Sequence, residues 1–100
     1  MEFEWDAAKR LAGIAKHRVD LLYAAALFAW VTAVAEDTRA EYGVAGQIAV
    51  GQVDGEVFVV AFTERDGRIR LISARKGGRR DGRKYEARLA GGDSGLESQG

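Results

Sequence analysis

The sequence of 100 residues contains no cysteine and no proline, and it has a single histidine. Without cysteine the chain can form neither disulfide bonds nor thiolate metal sites, which fits a reducing compartment such as the cytoplasm. A site built on several imidazole ligands is excluded too, and the carboxylates form no recognisable metal-binding motif. We therefore expect a cytoplasmic protein that holds neither a metal nor another cofactor.

Long hydrophobic runs are also lacking. The longest one, residues 21–35, is interrupted by Thr32, and its fifteen residues are fewer than the roughly 20 that a bilayer-spanning helix needs. Acidic side chains at positions 2, 4 and 6 are not typical of a signal peptide. A chain of this length can build one modest hydrophobic core. We expect a single globular domain that does not associate with membranes.

The formal net charge is zero, but the positive charge is concentrated in one segment. All ten Lys and Arg residues of the second half lie between Arg65 and Arg88, where three acidic residues oppose them, so this segment has a net charge of +7. Gly77 and Gly78 divide it in the middle. Such a concentration of charge is typical of a surface that binds a polyanion. RNA is the leading candidate.

The first third of the sequence predicts one strand and two helices. Alternating polar and apolar residues at 2–5 are typical of a short strand. Asp6 is a suitable N-cap for a helix over 7–17, whose apolar positions recur at helical spacing. Asp20 can likewise cap a second helix over 21–30.

The rest of the chain predicts an antiparallel meander followed by a basic helix. Asp-Gly pairs at 54–55 and 66–67 indicate two-residue hairpin turns. The strand between them is apolar on both faces and is therefore predicted to be central in its sheet. We expect the closing helix to run from about residue 79 to residue 89.

Together these elements predict an α+β fold in which helices pack on one sheet. We assign the domain to residues 1–89. Residues 90–100 have almost nothing to bury, and we expect them to form a disordered tail. Trp5 and Trp30 are expected to lie in the hydrophobic core.

Several short motifs occur in an order and at a spacing that resemble the BrnT family of toxins from type II toxin–antitoxin modules. The resemblance covers residues 3–86. The motifs that carry it are "FEWD" at 3–6, "KH" at 16–17, "DTRAEYG" at 37–43, "TER" at 63–65 and "ISARK" at 72–76.

This resemblance implies a small fold similar to RelE-type toxins and a metal-independent ribonuclease activity. It also implies two partners, an RNA substrate and a cognate antitoxin similar to ribbon-helix-helix DNA-binding proteins, in a 2:2 complex. Promoter DNA would be contacted only through the antitoxin.

The chain departs from the family pattern at Ala7, Gly13 and Arg18. Gly77 and Gly78 replace larger residues, and we expect them to loosen the link between strand and helix. These departures keep an alternative open: a catalytically weakened or inactive toxin fold that acts through an antitoxin in DNA-binding autoregulation.

Arg75 and Lys76 are the first candidates for holding the scissile phosphate, with Arg79 beside them. Arginine offers phosphate a bidentate fork, and lysine offers a point charge. Regular strand alternation predicts that Arg75 shares a face with Ile69, and that Lys76 shares the other face with Arg70. Both could also be solvated charges at the end of a strand.

The closing helix carries a row of cations at helical spacing. Such a row suits sequence-independent contact with an RNA backbone, docking of an acidic antitoxin, or simply an exposed helix face. Its members are Arg79, Arg80, Arg83 and Lys84.

Attack by the RNA 2′-hydroxyl requires a group that takes its proton, and Glu64 and His17 are the candidates. Glu64, next to Arg65, could instead orient an arginine or merely flank a hairpin. His17, next to Lys16, ends a helix and could be structural. Arg65, beside Glu64, and Lys16, beside His17, are candidates for RNA binding.

Three further residues are candidates for RNA contact. Tyr42 and Tyr85 could each stack on a base, or they could pack against the sheet. Arg39 lies in the same predicted loop as Tyr42.

Overall fold

The computed structural model describes residues 2–30, 32–37 and 46–91 of the chain. The elements in chain order are β1 (Glu2–Glu4), α1 (Ala7–His17), α2 (Leu21–Ala24), a 3₁₀ helix (Ala25–Ala29), β2 (Ala33–Asp37), β3 (Gly46–Val53), β4 (Glu56–Arg65), β5 (Arg68–Lys76) and α3 (Arg79–Gly91). This arrangement confirms the predicted α+β class, while the similarity to RelE-type toxins stays a prediction. In these ranges no helix is both long enough and apolar enough to cross a membrane.

The five strands form one mixed sheet in the order β1-β5-β4-β3-β2. β2 to β5 are antiparallel neighbours, as the predicted meander requires, and β1 lies parallel to β5. Asp54 and Gly55 have φ angles of 51° and 83°, and Asp66 and Gly67 have 54° and 77°. Positive φ at both central residues is the signature of a type I′ hairpin turn, so both predicted turns are confirmed.

The sheet has a hydrophobic cluster on each face. On the α2 face, the face covered by α2 and the 3₁₀ helix, Leu21 and Leu27 pack with Phe58 and Val60. On the α3 face, the face covered by α3, Tyr85 packs against the sheet. β4 contributes buried residues to both clusters, which confirms that it is the central strand.

Two aspartates cap the N-terminal helices, as predicted. Asp6 Oδ1 accepts a hydrogen bond from the Lys9 N–H at 3.0 Å, and Asp20 Oδ1 accepts one from the Leu22 N–H at 3.0 Å. Arg10 reaches from α1 to Asp20 with two hydrogen bonds, Nε to Oδ1 at 2.8 Å and Nη2 to Oδ2 at 2.7 Å. Because Arg10 favours the charged carboxylate, the pKa of Asp20 falls to about 2. This bidentate pair fixes α1 against the start of α2.

The prediction that both tryptophans lie in the core is wrong. Trp5 is 41% exposed and Trp30 is 69% exposed. Trp5 follows a three-residue edge strand and therefore lies beyond the sheet. The predicted helix over 21–30 tightens into a 3₁₀ helix after Ala24, which changes the direction of later side chains, including that of Trp30. Leu11 in α1 is likewise exposed.

β5 contains a β-bulge at Ile72. Ser73 pairs with Ala61, whereas the next pair along β4 joins Phe62 to Leu71. Ile72 therefore has no partner on β4 among the described pairs. Between these two pairs β5 advances by two residues and β4 by one. A bulge of this kind reverses the facing of every side chain beyond it.

The bulge corrects the predicted facing of the two candidate phosphate ligands. Arg75 pairs with Val59 and so lies on the α3 face, not on the face of Ile69. Lys76 lies on the α2 face, opposite to Arg70. The two cations do point to different faces, as predicted, but each has different neighbours from those expected.

The two glycines fix the β5–α3 junction rather than loosen it. Gly77 donates its N–H to the carbonyl of Val57 at 2.7 Å, and a Cβ on Gly77 would lie 2.5 Å from Val57 Cγ1. Gly78 donates its N–H to Asp81 Oδ2 at 2.8 Å. α3 extends to Gly91, two residues beyond its predicted end, and residues 92–100 of the predicted tail lie outside the described residues.

The Arg10–Asp20 pair predicts a pH-dependent contribution to stability. We expect Asp20→Asn, which keeps an oxygen for the Leu22 N–H but loses the charge, to lower the free energy of unfolding by about 1 kcal/mol at neutral pH. A carboxyl with a depressed folded-state pKa stabilises the fold above its unfolded pKa, near 3.9. The difference between variant and wild type should therefore shrink as pH falls from about 4 through about 2. Urea unfolding across this pH range measures the difference, with Asp66→Asn in an exposed turn as the control. A difference in unfolding free energy that does not change with pH would contradict a stabilising Arg10–Asp20 ion pair.

The close approach at Gly77 predicts unequal effects of two neighbouring substitutions. Gly77→Ala should cost about 2 kcal/mol, because its Cβ would collide with Val57. Gly78→Ala should cost only about 0.5 kcal/mol, since the nearest atom to its Cβ would be Asp81 Oδ2 at 3.8 Å. Urea denaturation of both variants gives the comparison, and equal costs would show that the junction is not tightly packed.

Candidate functional site at the β5–α3 junction

Arg75 lies at the end of β5 on the α3 face and is held by the first turn of α3. Its Nη1 donates to Asp81 Oδ2 at 3.0 Å and to the Lys76 carbonyl at 3.2 Å. The side chain is 45% exposed. Both hydrogen bonds use the same nitrogen, so within the described part of the chain Nε and Nη2 remain to contact an anion. The geometry presents an oriented guanidinium.

Asp81 is the acidic residue that organises this junction. Its carboxylate is only 13% exposed, and it accepts from the Gly78 N–H as well as from Arg75. Burial raises the pKa of Asp81, but the Gly78 N–H and the Arg75 guanidinium lower it by more, so the net shift is downward. Asp81 therefore stays ionised and keeps Arg75 in place.

Asp81 is not among the candidate residues predicted from the sequence. One signal could have identified it. An acidic residue at the third position of a helix (N3) commonly accepts a hydrogen bond from the N–H of the N-cap residue. Gly78 and Asp81 have this spacing. An acid inside the most basic segment of the chain is a second signal.

His17 and Arg75 line the same small cavity, of about 70 Å³. Arg18 ends α1 with a left-handed φ of 59°, and its N–H donates to the Ile14 carbonyl at 2.9 Å. His17, the last residue of α1, is half-buried beside the α3-face end of β5. The cavity is completed by Val59, Ala61, Ser73 and Ala74. An imidazole and a guanidinium beside one cavity can move a proton and stabilise negative charge.

The predicted row of cations lies on the exposed surface of α3. Arg79, Arg80 and Arg83 are all exposed. Lys84 follows Asp81 by three residues and lies close enough to lower the pKa of that carboxyl. The row thus begins beside Arg75 and extends along the helix, which suits contact with a chain of phosphates.

Two of the predicted catalytic residues lie on the other side of the sheet. Lys76 Nζ is 3.4 Å from Glu56 Oε2 on the α2 face. Glu64 pairs with Ile69 and lines a different cavity, of about 370 Å³, with Glu36. The sheet therefore separates Lys76 and Glu64 from Arg75 and His17.

The remaining candidates are distributed over the molecule. Tyr85 is buried and packs against the sheet, which is the alternative to stacking on a base that the sequence left open. Lys16 is exposed at the end of α1. Arg65 lies at the far end of β4. Arg39 and Tyr42 lie outside the described residues.

A wider cavity of about 670 Å³ opens near the β3–β4 hairpin. Tyr23, Trp30 and Leu89 line it, and the Tyr23 hydroxyl donates to Asp54 Oδ2. Its lining contains no cation, so it is unsuited to a phosphodiester. Among the described residues no group of three or more His, Cys, Asp or Glu could hold a metal ion.

A family model described as the ribonuclease toxin BrnT of type II toxin–antitoxin systems matches residues 5–81. The match includes α1 with His17, the strands β2 to β5 and the junction up to Asp81. A search of curated proteins found no match. Because the family model covers more than half of the chain, the protein belongs to the BrnT family of ribonuclease toxins from type II toxin–antitoxin systems.

Proposed function

We propose that this chain is a metal-independent endoribonuclease toxin that cleaves RNA by attack of a 2′-hydroxyl on the adjacent phosphate. The observation that carries the proposal is the shared cavity of His17 and Arg75, at a junction where Asp81 orients the arginine. A side chain that can take a proton and a fixed cation beside it are the minimum that this reaction needs.

In the proposed reaction His17 takes the proton of the 2′-hydroxyl, and the 2′-oxygen forms a bond to phosphorus. The bond from phosphorus to the 5′-oxygen breaks, and that oxygen takes a proton from water. The products are a 2′,3′-cyclic phosphate and a 5′-hydroxyl end. Arg75 donates to the phosphate oxygens as negative charge develops on them, and this role favours a bidentate guanidinium over a lysine.

Substrate binding is proposed to involve the cations around this centre. Lys84 and its neighbours on α3, together with Lys16 at the end of α1, would contact flanking phosphates without regard to base sequence. Lys76 and Glu64 have weaker support as catalytic residues, because the sheet separates them from Arg75.

A type II toxin family implies an antitoxin partner. We propose an antitoxin of the ribbon-helix-helix class in a 2:2 complex, through which the toxin contacts promoter DNA. The cations of α3 are suited to an acidic antitoxin segment as well as to RNA, so one surface would serve both partners.

Arg75 and Lys76 form a matched pair for testing the site, because they are adjacent cations on opposite faces of the sheet. We expect Arg75→Ala to lower the rate of RNA cleavage by the antitoxin-free protein about 10²–10³-fold. Lys76→Ala should change the rate only a few-fold. Cleavage of a labelled RNA, with detection of the cyclic phosphate end, measures both. Intact RNA with folded wild-type protein would support the alternative of an inactive binding module.

His17 predicts a loss of cleavage rate that its neighbour does not share. His17→Gln should lower the rate about 10²–10⁴-fold, because glutamine cannot take the proton of the 2′-hydroxyl. Lys16→Gln, at the neighbouring exposed position, is the control and should lower the rate only a few-fold. Cleavage of the same labelled RNA measures both variants, and a His17→Gln rate close to that of the wild type would exclude proton transfer by His17.

A further inference from the structure

A second group of arginines lies at the opposite end of the β4–β5 hairpin from the candidate site. Arg65 pairs with Arg68, and Thr63 pairs with Arg70. These four residues and Glu4 of β1 line a cavity of about 300 Å³. We call Arg65, Arg68 and Arg70 the hairpin arginines.

The hairpin arginines lie on the same face of the sheet as Arg75. β4 is regular, so Val59, Thr63 and Arg65 all face the same side. Their partners on β5 face that side too, and these are Arg75, Arg70 and Arg68. The β-bulge at Ile72 produces this alignment, because with regular alternation Arg68 and Arg70 would face away from Arg75.

The ion pairs of the hairpin arginines are exposed and long. Arg68 Nε is 3.3 Å from Glu2 Oε1, and Arg70 Nη1 is 3.4 Å from Glu4 Oε2. The arginine side chains are 60% and 52% exposed, respectively. Exposed pairs of this kind contribute little to stability. Both guanidiniums can therefore exchange a carboxylate for a phosphate at small cost, unlike Arg75 with its largely buried partner.

We propose that the cavity of the hairpin arginines is a phosphate-binding subsite for the RNA strand that is cleaved at Arg75, an inference that rests on the proposed function. Arg70 and Arg75 are five strand residues apart, which corresponds to on the order of 15 Å. That distance is longer than one nucleotide, so the occupant is a backbone phosphate several nucleotides from the cleaved bond. Ser73 lies between the two arginines on this face of β5.

This subsite makes cleavage depend on substrate length. We expect Arg68→Gln/Arg70→Gln to raise KM about tenfold for an RNA of about 12 nucleotides, with kcat within about twofold of wild type. A short RNA of about three nucleotides cannot reach the subsite, and its kcat/KM should be unchanged. Losing two phosphate contacts should also reduce the slope of log affinity against log salt by about 1.4.

Glu2→Gln/Glu4→Gln is the matched control. It breaks the same two ion pairs with β1 but leaves both arginines charged. The subsite predicts an equal or lower KM for the longer RNA in this variant. If loosening of β1 were the cause, both double variants would raise KM, and this result would overturn the proposal.

Binding measurements separate this proposal from the proposed function. Fluorescence anisotropy with the same two RNAs, made uncleavable by a 2′-deoxy nucleotide at the cleaved bond, reports binding alone. Weaker binding of the longer RNA by the arginine variant supports the subsite even if the wild type does not cleave. Equal binding by variant and wild type overturns the subsite even if cleavage is confirmed.

Discussion

The pairing of β4 with β5 determines which side chains of this molecule can act together. β4 is a regular strand, so each side chain of β5 faces the same side of the sheet as the β4 residue with which it pairs. The single extra residue at Ile72 places Arg75 on the α3 face, where α3 supplies Asp81 and α1 supplies His17. Without it, Arg75 would take the position opposite Phe58 that Lys76 now occupies, on the α2 face and separated by the sheet from Asp81 and His17. One backbone irregularity therefore sets both the site and its charge balance.

The basic segment needs an acid at its centre for a physical reason. Closely spaced cations repel one another, and an unrestrained arginine samples many rotamers. Asp81 opposes that repulsion and fixes one guanidinium, and its own position is fixed by the Gly78 N–H. Gly77 allows this arrangement because its N–H reaches the Val57 carbonyl in a space that no Cβ could share. The glycines of the junction serve close packing, not flexibility.

The features predicted correctly from sequence are local, and those missed depend on contacts between distant segments. The Asp-Gly turns require positive φ at both positions, and Asp6 and Asp20 cap helices within their own turn, so short stretches determine them. The bulge depends on how two strands pair, and no composition signal marks Ile72. His17 lies near Arg75 because β1 pairs in parallel with β5 and α1, which follows β1, ends beside the end of β5. The exposure of Trp30 similarly depends on where α2 tightens.

In the proposed function, the residues that would bind RNA differ from those that would accelerate its cleavage. The exposed cations on α3 would attract an anionic chain through counterion release, each with a similar, salt-sensitive contribution to the affinity. Such contacts stabilise bound substrate and transition state equally, so they do not accelerate the chemical step. Acceleration requires a donor that is already oriented when charge develops. Arg75 has that property because of Asp81, which lowers the net positive charge of the surface while fixing its geometry. An acid that weakens overall attraction for RNA is therefore consistent with catalysis rather than opposed to it.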